Sequence, residues 1–215
     1  MLWNVATCTE TARLYSAAKL VNALCLFKGA LLASGSWDST ISLWDVATHT
    51  DTAHLKLPHP GMFGVKDLCV LADGRLAASI PVDGTIRLCD VATNAETGRL
   101  EQRGEWIGAL RQLKDGRLAS RSVHGTIRLW DVTIKAETGR LEGHTDQILV
   151  LSLLPDGRLV SGSTDRTIRV WDVTSGAEVA RLEVDAPITA LVAVGPNRLV
   201  AGDQGGRLHW LEVLD

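Results

Sequence analysis

The segment Leu153–Val173, which reads LLPDGRLVSGSTDRTIRVWDV, decides the fold. Apolar and polar residues alternate in TIRVWDV, and this two-residue period is typical of a β-strand. Tight-turn residues occupy Asp156–Gly157 and Thr164–Arg166, on either side of a second short apolar run. The segment therefore predicts short antiparallel strands joined by tight turns.

The same phrase recurs along the whole chain. Its Trp-Asp dipeptide, or a substituted form of it, returns at intervals of 41, 45, 41, 41 and 40 residues. The positions are Trp3-Asn4, Trp44-Asp45, Cys89-Asp90, Trp130-Asp131, Trp171-Asp172 and Leu211-Glu212. A DGRL-like phrase precedes the last five of these positions, and an ARL-like phrase follows the first five, always in the same order. These landmarks identify an internal repeat.

Each complete repeat divides into four predicted strands. In the fourth repeat these strands lie near residues 148–154, 159–163, 167–172 and 178–183. A lone four-stranded sheet exposes both of its faces, so each sheet must stack on its neighbours. Radial stacking closes a ring and leaves only short edges. The predicted fold class is all-β, with four-stranded antiparallel sheets as its units.

The chain resembles the WD-repeat β-propellers over essentially its full length. The fourth repeat matches best, with Gly143-His144 followed by PDGRLVSGSTDRTIRVWDV. The resemblance implies a β-propeller and a role in scaffolding and complex assembly. It also implies a structural tetrad of hydrogen-bonded side chains, which here consists of His144, Ser161, Asp165 and Trp171. Each of its bonds is worth roughly 1 kcal/mol net.

The other repeats depart from this tetrad, so we expect the array to be less stable than one of ideal repeats. The first has Ser34, Asp38 and Trp44 with Ala17; the second has Ser79 and Asp83 with His59 and Cys89; the third has Ser120 and Trp130 with Arg103 and His124; the fifth has Asp185, Ala201, Gly205 and Leu211.

The number of blades leaves two interpretations. Four whole repeats cover about 18–57, 64–101, 105–142 and 146–183, and a fifth, 187–215, has three strands. In the resembled family the N-terminus usually supplies the missing outer strand, and residues 8–16 can do so, although residues 1–7 are then surplus. We favour a single five-bladed domain, 1–215. The alternative is a fragment of a larger or self-assembling propeller, which exposes a sheet face and forms oligomers.

Composition favours a protein of the reducing cytoplasm that binds neither nucleic acid nor membranes. The formal net charge is −3, with 22 basic and 25 acidic residues, so no general attraction to polyanions is expected. No run of 18 apolar residues occurs, and the N-terminus does not resemble a secretory signal. The four cysteines form no CxxC pair and are expected to be free thiols.

Catalytic and metal-binding patterns are absent from the sequence. It contains no HExxH, GxSxG or P-loop motif, and its six histidines lack metal-ligand spacing. We therefore assign no catalytic, cofactor or metal residues and predict a protein that is not an enzyme. A small-molecule site in the central channel remains a lesser alternative. The arginines that recur with the repeats, such as Arg87 and Arg169, are interpreted as a solvated face paired with nearby carboxylates.

Aromatic residues outside the repeat pattern predict the partner-binding surface. Exposed aromatic and Met side chains are enriched at interface hot spots. In the resembled family, the turn that carries the tetrad Asp and the start of the first strand face the surface where partners often dock. The predicted patch for a protein or peptide partner is Trp37, Met62, Phe63, Trp106 and His124.

Overall fold

The computed structural model describes residues 2–12, 20–27, 29, 31–58, 64–101 and 106–213. Within these residues the chain consists of β-strands and one 3-10 turn, Pro81–Asp83. The strands belong to two compact units, Met1–Arg99 and Leu100–Asp215. The all-β class predicted from the alternating pattern is confirmed.

The first unit contains a two-stranded hairpin and two four-stranded antiparallel sheets. The N-terminal hairpin consists of β1 (Leu2–Asn4) and β2 (Thr9–Ala12). Sheet 1 consists of β3 (Val21–Phe27), β4 (Leu31–Ser36), β5 (Thr40–Asp45) and β6 (Thr50–Lys56). Sheet 2 consists of β7 (Asp67–Val70), β8 (Leu76–Ile80), β9 (Thr85–Asp90) and β10 (Ala95–Glu101).

The second unit contains three further antiparallel sheets. Sheet 3 consists of β11 (Ile107–Gln112), β12 (Leu118–Ser122), β13 (Ile127–Asp131) and β14 (Ala136–Leu141). Sheet 4 consists of β15 (Ile148–Leu153), β16 (Leu159–Ser163), β17 (Thr167–Asp172) and β18 (Ala177–Glu183). Sheet 5 has three described strands, β19 (Ile188–Ala193), β20 (Arg198–Asp203) and β21 (Leu208–Glu212).

The Asp-Gly-Arg phrase makes the turn between the first two strands of a sheet. Between β15 and β16, the Arg158 amide donates to Asp156 Oδ1 at 2.8 Å, and Gly157 has a φ of +106°. This left-handed conformation favours glycine. The Leu154 amide then donates to the Arg158 carbonyl at 2.9 Å. The phrase recurs because each repeat needs the same turn at the same register.

The core lies between stacked sheets. In the first unit, Ile41 and Leu43 of sheet 1 pack with Leu68 and Leu76 of sheet 2. In the second unit, one cluster joins sheets 3 and 4, and another joins sheets 4 and 5. The face of sheet 4 that carries Ile168 is thereby covered by the next sheet. Within each unit, the facing sides of neighbouring sheets are thus buried against each other.

The recurring third-strand arginines do not form the solvated face that the sequence suggests. Arg87 and Arg169 are buried. Arg87 lies 2.9 Å from a carboxylate oxygen of Glu96, and Arg169 forms the equivalent ion pair with Glu178. A buried guanidinium needs such partners because an unpaired charge is costly to desolvate. These arginines therefore hold the third and fourth strands of their sheets together.

The N-terminal hairpin reproduces the outer half of a repeat. Its residues pair as Leu2 with Ala12 and Trp3 with Glu10, with a register shift between them. In sheet 4, Val170 pairs with Ala180 and Trp171 with Glu178, with the shift in the same place. Residues 13–16 lie outside the described residues. Completion of sheet 5 by residues 8–16 therefore stays a prediction, as do the five-bladed count and the domain bounds.

The close approach of sheets 4 and 5 can be tested at Gly162. A Cβ atom on Gly162 would lie 2.4 Å from Ile188 Cγ2, whereas one on Gly139 would meet only Leu129 Cδ1 at 3.7 Å. We expect Gly162→Ala to destabilise the protein by about 1–3 kcal/mol through overpacking. Gly139→Ala is the control, with little expected effect. Urea unfolding measures both, and equal values would contradict the inter-sheet packing.

Candidate interaction surface and its supporting network

One end of each sheet combines the start of its first strand with the turn between its second and third strands. We call this the loop end. In sheet 4 the Thr164 amide donates to the Gln147 carbonyl at 2.9 Å. In sheet 5 the Gln204 amide donates to the Pro187 carbonyl at 2.8 Å. These hydrogen bonds hold the segment before the first strand against the turn between the second and third strands.

Trp37 lies at the loop end of sheet 1. Its amide donates to the Leu20 carbonyl at 2.8 Å, and its carbonyl accepts from the Gly64 amide at 3.0 Å. A Cβ atom on Gly64 would lie 2.5 Å from three backbone atoms of this turn, so only glycine fits. Both Trp37 and Leu20 are exposed. Sequence reasoning missed Leu20, which precedes the first strand and carries no repeat landmark.

Trp106 and His124 both lie at the loop end of sheet 3, where Ile107 pairs with Ser122. Trp106 directly precedes β11, and His124 follows β12, where its amide donates to Ser122 Oγ at 3.1 Å. Both residues are exposed. Gly125 fixes the turn, because it has a φ of +77° and its Cβ would lie 2.5 Å from the His144 carbonyl oxygen. The remaining predicted patch residues, Met62 and Phe63, lie outside the described residues.

The tetrad in sheet 4 forms a continuous chain of hydrogen bonds. His144 Nδ1 lies 2.8 Å from Asp165 Oδ2, and His144 Nε2 lies 2.7 Å from Ser161 Oγ. Trp171 Nε1 donates to the same Ser161 Oγ at 2.8 Å. The Thr145 amide donates to Asp165 Oδ2 at 3.1 Å. The tetrad thereby connects the segment before the first strand to the second strand, to the loop-end turn and to the third strand.

Burial and hydrogen bonding set the protonation of this network. Burial lowers the pKa of His144, against the opposing effect of the Asp165 carboxylate. Burial opposes ionisation of Asp165, but hydrogen bonds from Thr167 and His144 lower its pKa to about 2. A neutral imidazole then donates from Nδ1 to Asp165 and accepts at Nε2 from the Ser161 hydroxyl. The Ser161 oxygen is left to accept from the Trp171 indole.

Two incomplete repeats retain the Ser–Trp bond. Trp44 Nε1 donates to Ser34 Oγ, and Trp130 Nε1 donates to Ser120 Oγ, both at 2.8 Å. The residues predicted at the histidine position of the first three repeats, Ala17, His59 and Arg103, lie outside the described residues. In sheets 1, 3 and 4, the indole of the third-strand tryptophan thus donates to a serine of the second strand.

Two repeats contain substitute networks that sequence reasoning missed. In sheet 2, where Cys89 replaces the tryptophan, Asp83 Oδ2 accepts from Arg87 Nη2 at 2.6 Å. In sheet 5, the buried carboxylate of Asp203 lies 2.9 Å from His209 Nε2. Asp203 belongs to the second strand, outside the tetrad's own Asp position. In both repeats the sequence has an acidic residue a few positions before a basic one, with a predicted turn at or between them, and this spacing could have indicated the pairs.

The buried tetrad is suited to support rather than to catalysis. His144 and Ser161 are both buried, and the Trp171 ring packs against the imidazole with centroids 6.1 Å apart. Among the described residues, no group of three or more His, Cys, Asp or Glu side chains could hold a metal ion. No helix in the described part of the chain is long and apolar enough to cross a bilayer. The loop-end aromatics are the candidate functional groups because, unlike the tetrad, their side chains are accessible to a partner.

The double role of Ser161 can be measured against a matched serine. Ser161→Ala leaves both the His144 imidazole and the Trp171 indole without their partner, whereas Ser120→Ala removes the partner of Trp130. Leaving a buried polar group unsatisfied costs about 1–3 kcal/mol. We expect Ser161→Ala to lower the free energy of unfolding by at least about 1 kcal/mol more than Ser120→Ala. Equal losses in urea unfolding would contradict the tetrad.

The lowered pKa values predict acid sensitivity. A group whose folded-state pKa is depressed gives stability that is lost as pH falls below its unfolded value. For His144 this loss begins below about pH 6.5, and for Asp165 it begins below about pH 3.8 and ends near pH 2. We expect His144→Ala to be less stable at neutral pH but to lose less stability on mild acidification. Parallel stability–pH curves for the two proteins would contradict this assignment.

Comparison with known proteins gives matches at both ends of the chain. The family model described as WD domain, G-beta repeat matches residues 8–45, and the one described as TEP-1 C-terminal beta-propeller matches residues 144–213. Among solved structures, the WD40 beta propeller domain of Doa1 is similar, with a TM-score of 0.74 and 24% identity. The match covers 85% of this chain and 60% of that chain. No curated protein matches.

These matches confirm the β-propeller fold predicted from the repeats. The chain corresponds to about 60% of the Doa1 propeller domain in length. The repeated Trp-Asp phrase, the stacked antiparallel sheets and the Ser–Trp bonds within them agree with the WD-repeat and β-propeller family models that match these two segments of the chain.

Proposed function

We propose that the chain is a non-enzymatic interaction scaffold that binds a protein or peptide partner through its loop ends. The observation that carries this proposal is the exposure of one indole at the loop end of sheet 1 and of another at the loop end of sheet 3. Trp37 is 39% exposed and Trp106 is 47% exposed, and both lie at the loop end of their sheets. Tryptophan is the residue type most enriched at binding hot spots.

The turns that carry Trp37 and His124 are tightly packed at glycine residues. Gly64 packs against the turn of Trp37, and Gly125 packs against the carbonyls of His144 and Asp146 beside His124. A side chain held by a rigid turn loses little conformational entropy when a partner binds. The loop ends can therefore present large apolar groups at a small entropic cost. Leu20, exposed beside Trp37, extends the apolar surface at sheet 1.

The chemistry of the described residues supports binding over catalysis. WD-repeat propellers are generally protein-interaction scaffolds, and the buried tetrad here is occupied by structural hydrogen bonds. Burial raises the pKa of Cys25 and Cys89 to about 12, which makes both thiols poor nucleophiles at neutral pH. The net charge of −3 gives no general attraction to nucleic acid.

A cytoplasmic location is part of the proposal. All four cysteines, Cys8, Cys25, Cys69 and Cys89, are free thiols in the structure. Free thiols persist in the reducing cytoplasm, whereas oxidising compartments favour disulfides.

Two tryptophan substitutions test the loop-end surface. We expect Trp37→Ala combined with Trp106→Ala to leave the fold intact, because both indoles are partly exposed at turns. Loss of a hot-spot side chain costs at least about 2 kcal/mol, or roughly 30-fold in affinity. Quantitative affinity purification should identify a partner set, and calorimetry with the purified partner should measure this loss.

The control is Ile134→Ala, which removes an exposed apolar side chain at the opposite end of sheet 3. This variant should retain the partners and their affinity. Unchanged partners for the double tryptophan variant, or equal losses in both variants, would show that the loop ends are not the binding surface.

A further inference from the structure

The turn between the second and third strands places one residue of each sheet in a left-handed backbone conformation. The position is occupied by Ser39, Gly84, Gly125, Arg166 and Gly206, with φ between +62° and +83°. Glycine adopts this conformation readily, whereas a residue with a Cβ atom does so at a cost. Ser39 is fully buried, and Arg166 is exposed. Of these five residues, Arg166 is thus the one that presents a long side chain to solvent.

Local hydrogen bonds fix the backbone at Arg166. Its amide donates to the Ser163 carbonyl at 3.2 Å, and its carbonyl accepts from the Val184 amide at 2.9 Å. On either side, the Asp165 amide donates to Ser163 Oγ at 3.0 Å, and the Thr167 amide donates to Asp165 Oδ1 at 2.9 Å. The arginine side chain therefore starts from a fixed point at the loop end of sheet 4.

The Arg166 guanidinium has no hydrogen-bond or ion-pair partner among the described residues. The arginines that recur with the repeats differ in this respect, because each contacts a carboxylate of its own sheet. In sheet 4, Arg158 pairs with Asp156, and Arg169 pairs with Glu178. Arg166 belongs to none of these recurring sets. Its charge is therefore available to a ligand.

A second arginine of sheet 4, Arg181, is held only loosely. Its equivalents Arg99 and Arg140 donate from Nε to the fourth-strand glutamate of their own sheets, Arg99 at 3.1 Å. Arg181 Nε lies 3.9 Å from Glu178 Oε1, which is beyond hydrogen-bond range. The Arg181 side chain is 50% exposed, and an exposed ion pair of this kind contributes little. Arg181 is therefore free to contact a ligand as well.

Arg166 and Arg181 line one open cavity at the loop end of sheet 4. Its volume is about 520 Å³, and its lining residues all belong to sheet 4 and the segments that flank its strands. Glu183 and Asp185 line it too. Asp185 is paired with Arg207 at 2.6 Å, whereas the Glu183 carboxylate has no polar partner among the described residues. The cavity thus offers a ligand two guanidinium groups and one carboxylate.

This cavity adjoins the loop-end turn of sheet 3. Thr145 lines the cavity, and its two neighbours in the chain, His144 and Asp146, present the carbonyls against which Gly125 packs. His124 directly precedes Gly125 in that turn. A peptide that covers the exposed aromatic residues of sheet 3 can therefore continue into the cavity of sheet 4.

We propose that this cavity binds a carboxylate side chain of a peptide partner, with Arg166 and Arg181 as the donors. The inference rests on the proposed function of the loop ends and adds the chemistry of the partner, which is an acidic residue next to the segment that covers Trp106. Guanidinium groups bind carboxylates through paired, charge-assisted hydrogen bonds. Arginine is also among the residue types most enriched at binding hot spots.

The other charges of the cavity favour a single carboxylate over a polyanion. Glu183 lies on the same cavity and repels additional negative charge. A phosphate group carries up to two negative charges, and nucleic acid binding depends on several phosphate contacts. A peptide with one acidic residue avoids this repulsion. Glu183 can then accept a hydrogen bond from a basic or polar group beside that residue.

Peptide selection followed by affinity measurement tests the proposal. The probe is a phage-displayed library of random peptides, selected on the immobilised unmodified chain. We expect the selected peptides to share an Asp or Glu at a fixed distance from an apolar residue. Replacement of this acid by its amide in the synthetic peptide should weaken binding by about 10- to 100-fold in fluorescence anisotropy, because charge-assisted hydrogen bonds are lost.

Arg166→Gly assigns this loss to the cavity. Glycine occupies the same turn position in three other repeats, so the variant should fold normally, which circular dichroism checks. It should bind the acidic peptide and its amide form equally, as expected when one partner of a pair is already removed. Arg181→Ala should narrow the difference between the two peptides without abolishing it.

The matched control is Lys135→Gly. It removes a positive charge from another exposed turn residue with a left-handed backbone, at the opposite end of sheet 3. The full difference between the acidic peptide and its amide form should remain in this variant.

The outcomes separate this inference from the proposed function. Equal binding of the acidic and amide peptides, together with loss of both in Trp106→Ala, would overturn the carboxylate site and leave the loop ends as the binding surface. A preference for the acid that persists in Arg166→Gly would also overturn it. Tighter binding of a phosphoserine peptide or of single-stranded DNA, lost in Arg166→Gly, would assign the cavity to phosphate instead. Selection of no peptide, or of peptides indifferent to both Trp106 and Arg166, would contradict both proposals.

Discussion

Every complete sheet of this protein depends on apolar contact with a neighbouring sheet. A four-stranded antiparallel sheet presents an apolar side chain from each face, and only another sheet buries them. Burial of apolar surface contributes about 25 cal/mol per Å², so a bare face forgoes several kcal/mol. The clusters between sheets 1 and 2, 3 and 4, and 4 and 5 supply this contact. Hydrogen bonds then select the register within each sheet.

The buried polar networks differ from one repeat to the next, whereas the apolar contact between sheets is retained. Sheet 4 has the full tetrad from His144 to Trp171. Sheet 2 has instead the ion pair between Arg87 and Asp83, and sheet 5 has the pair of Asp203 and His209. Each solution satisfies buried polar groups, as a packed interior requires. The repeats can therefore diverge in sequence while the apolar stacking is maintained.

The repeat period and its two-residue alternation were sufficient to predict stacked antiparallel sheets, because strands and turns are specified locally. The resemblance to WD-repeat propellers implied the bonds of Ser161, Ser34 and Ser120 to their tryptophans. The burial of Arg169 was not predicted, since the alternating pattern assigns a side chain to a face but does not say whether the next sheet covers it. The Asp203–His209 pair depends on three-dimensional proximity and has no repeat signature.

The same limitation applies to the first strands. Val21 and Ile188 have the same pattern in sequence, yet one is exposed and the other is buried. The loop-end tryptophans were recognisable because they interrupt the repeat. Residues that conform to the repeat carry no such signal.

Hydrogen exchange of the unmodified chain and of Gly162→Ala tests the dependence on sheet stacking most directly. The account predicts strong protection of the amides in β17 of the unmodified chain, because sheet 4 packs against sheets 3 and 5. In Gly162→Ala, where the added methyl group meets Ile188 of sheet 5, this protection should fall. Unchanged protection of β17 in Gly162→Ala would contradict the account.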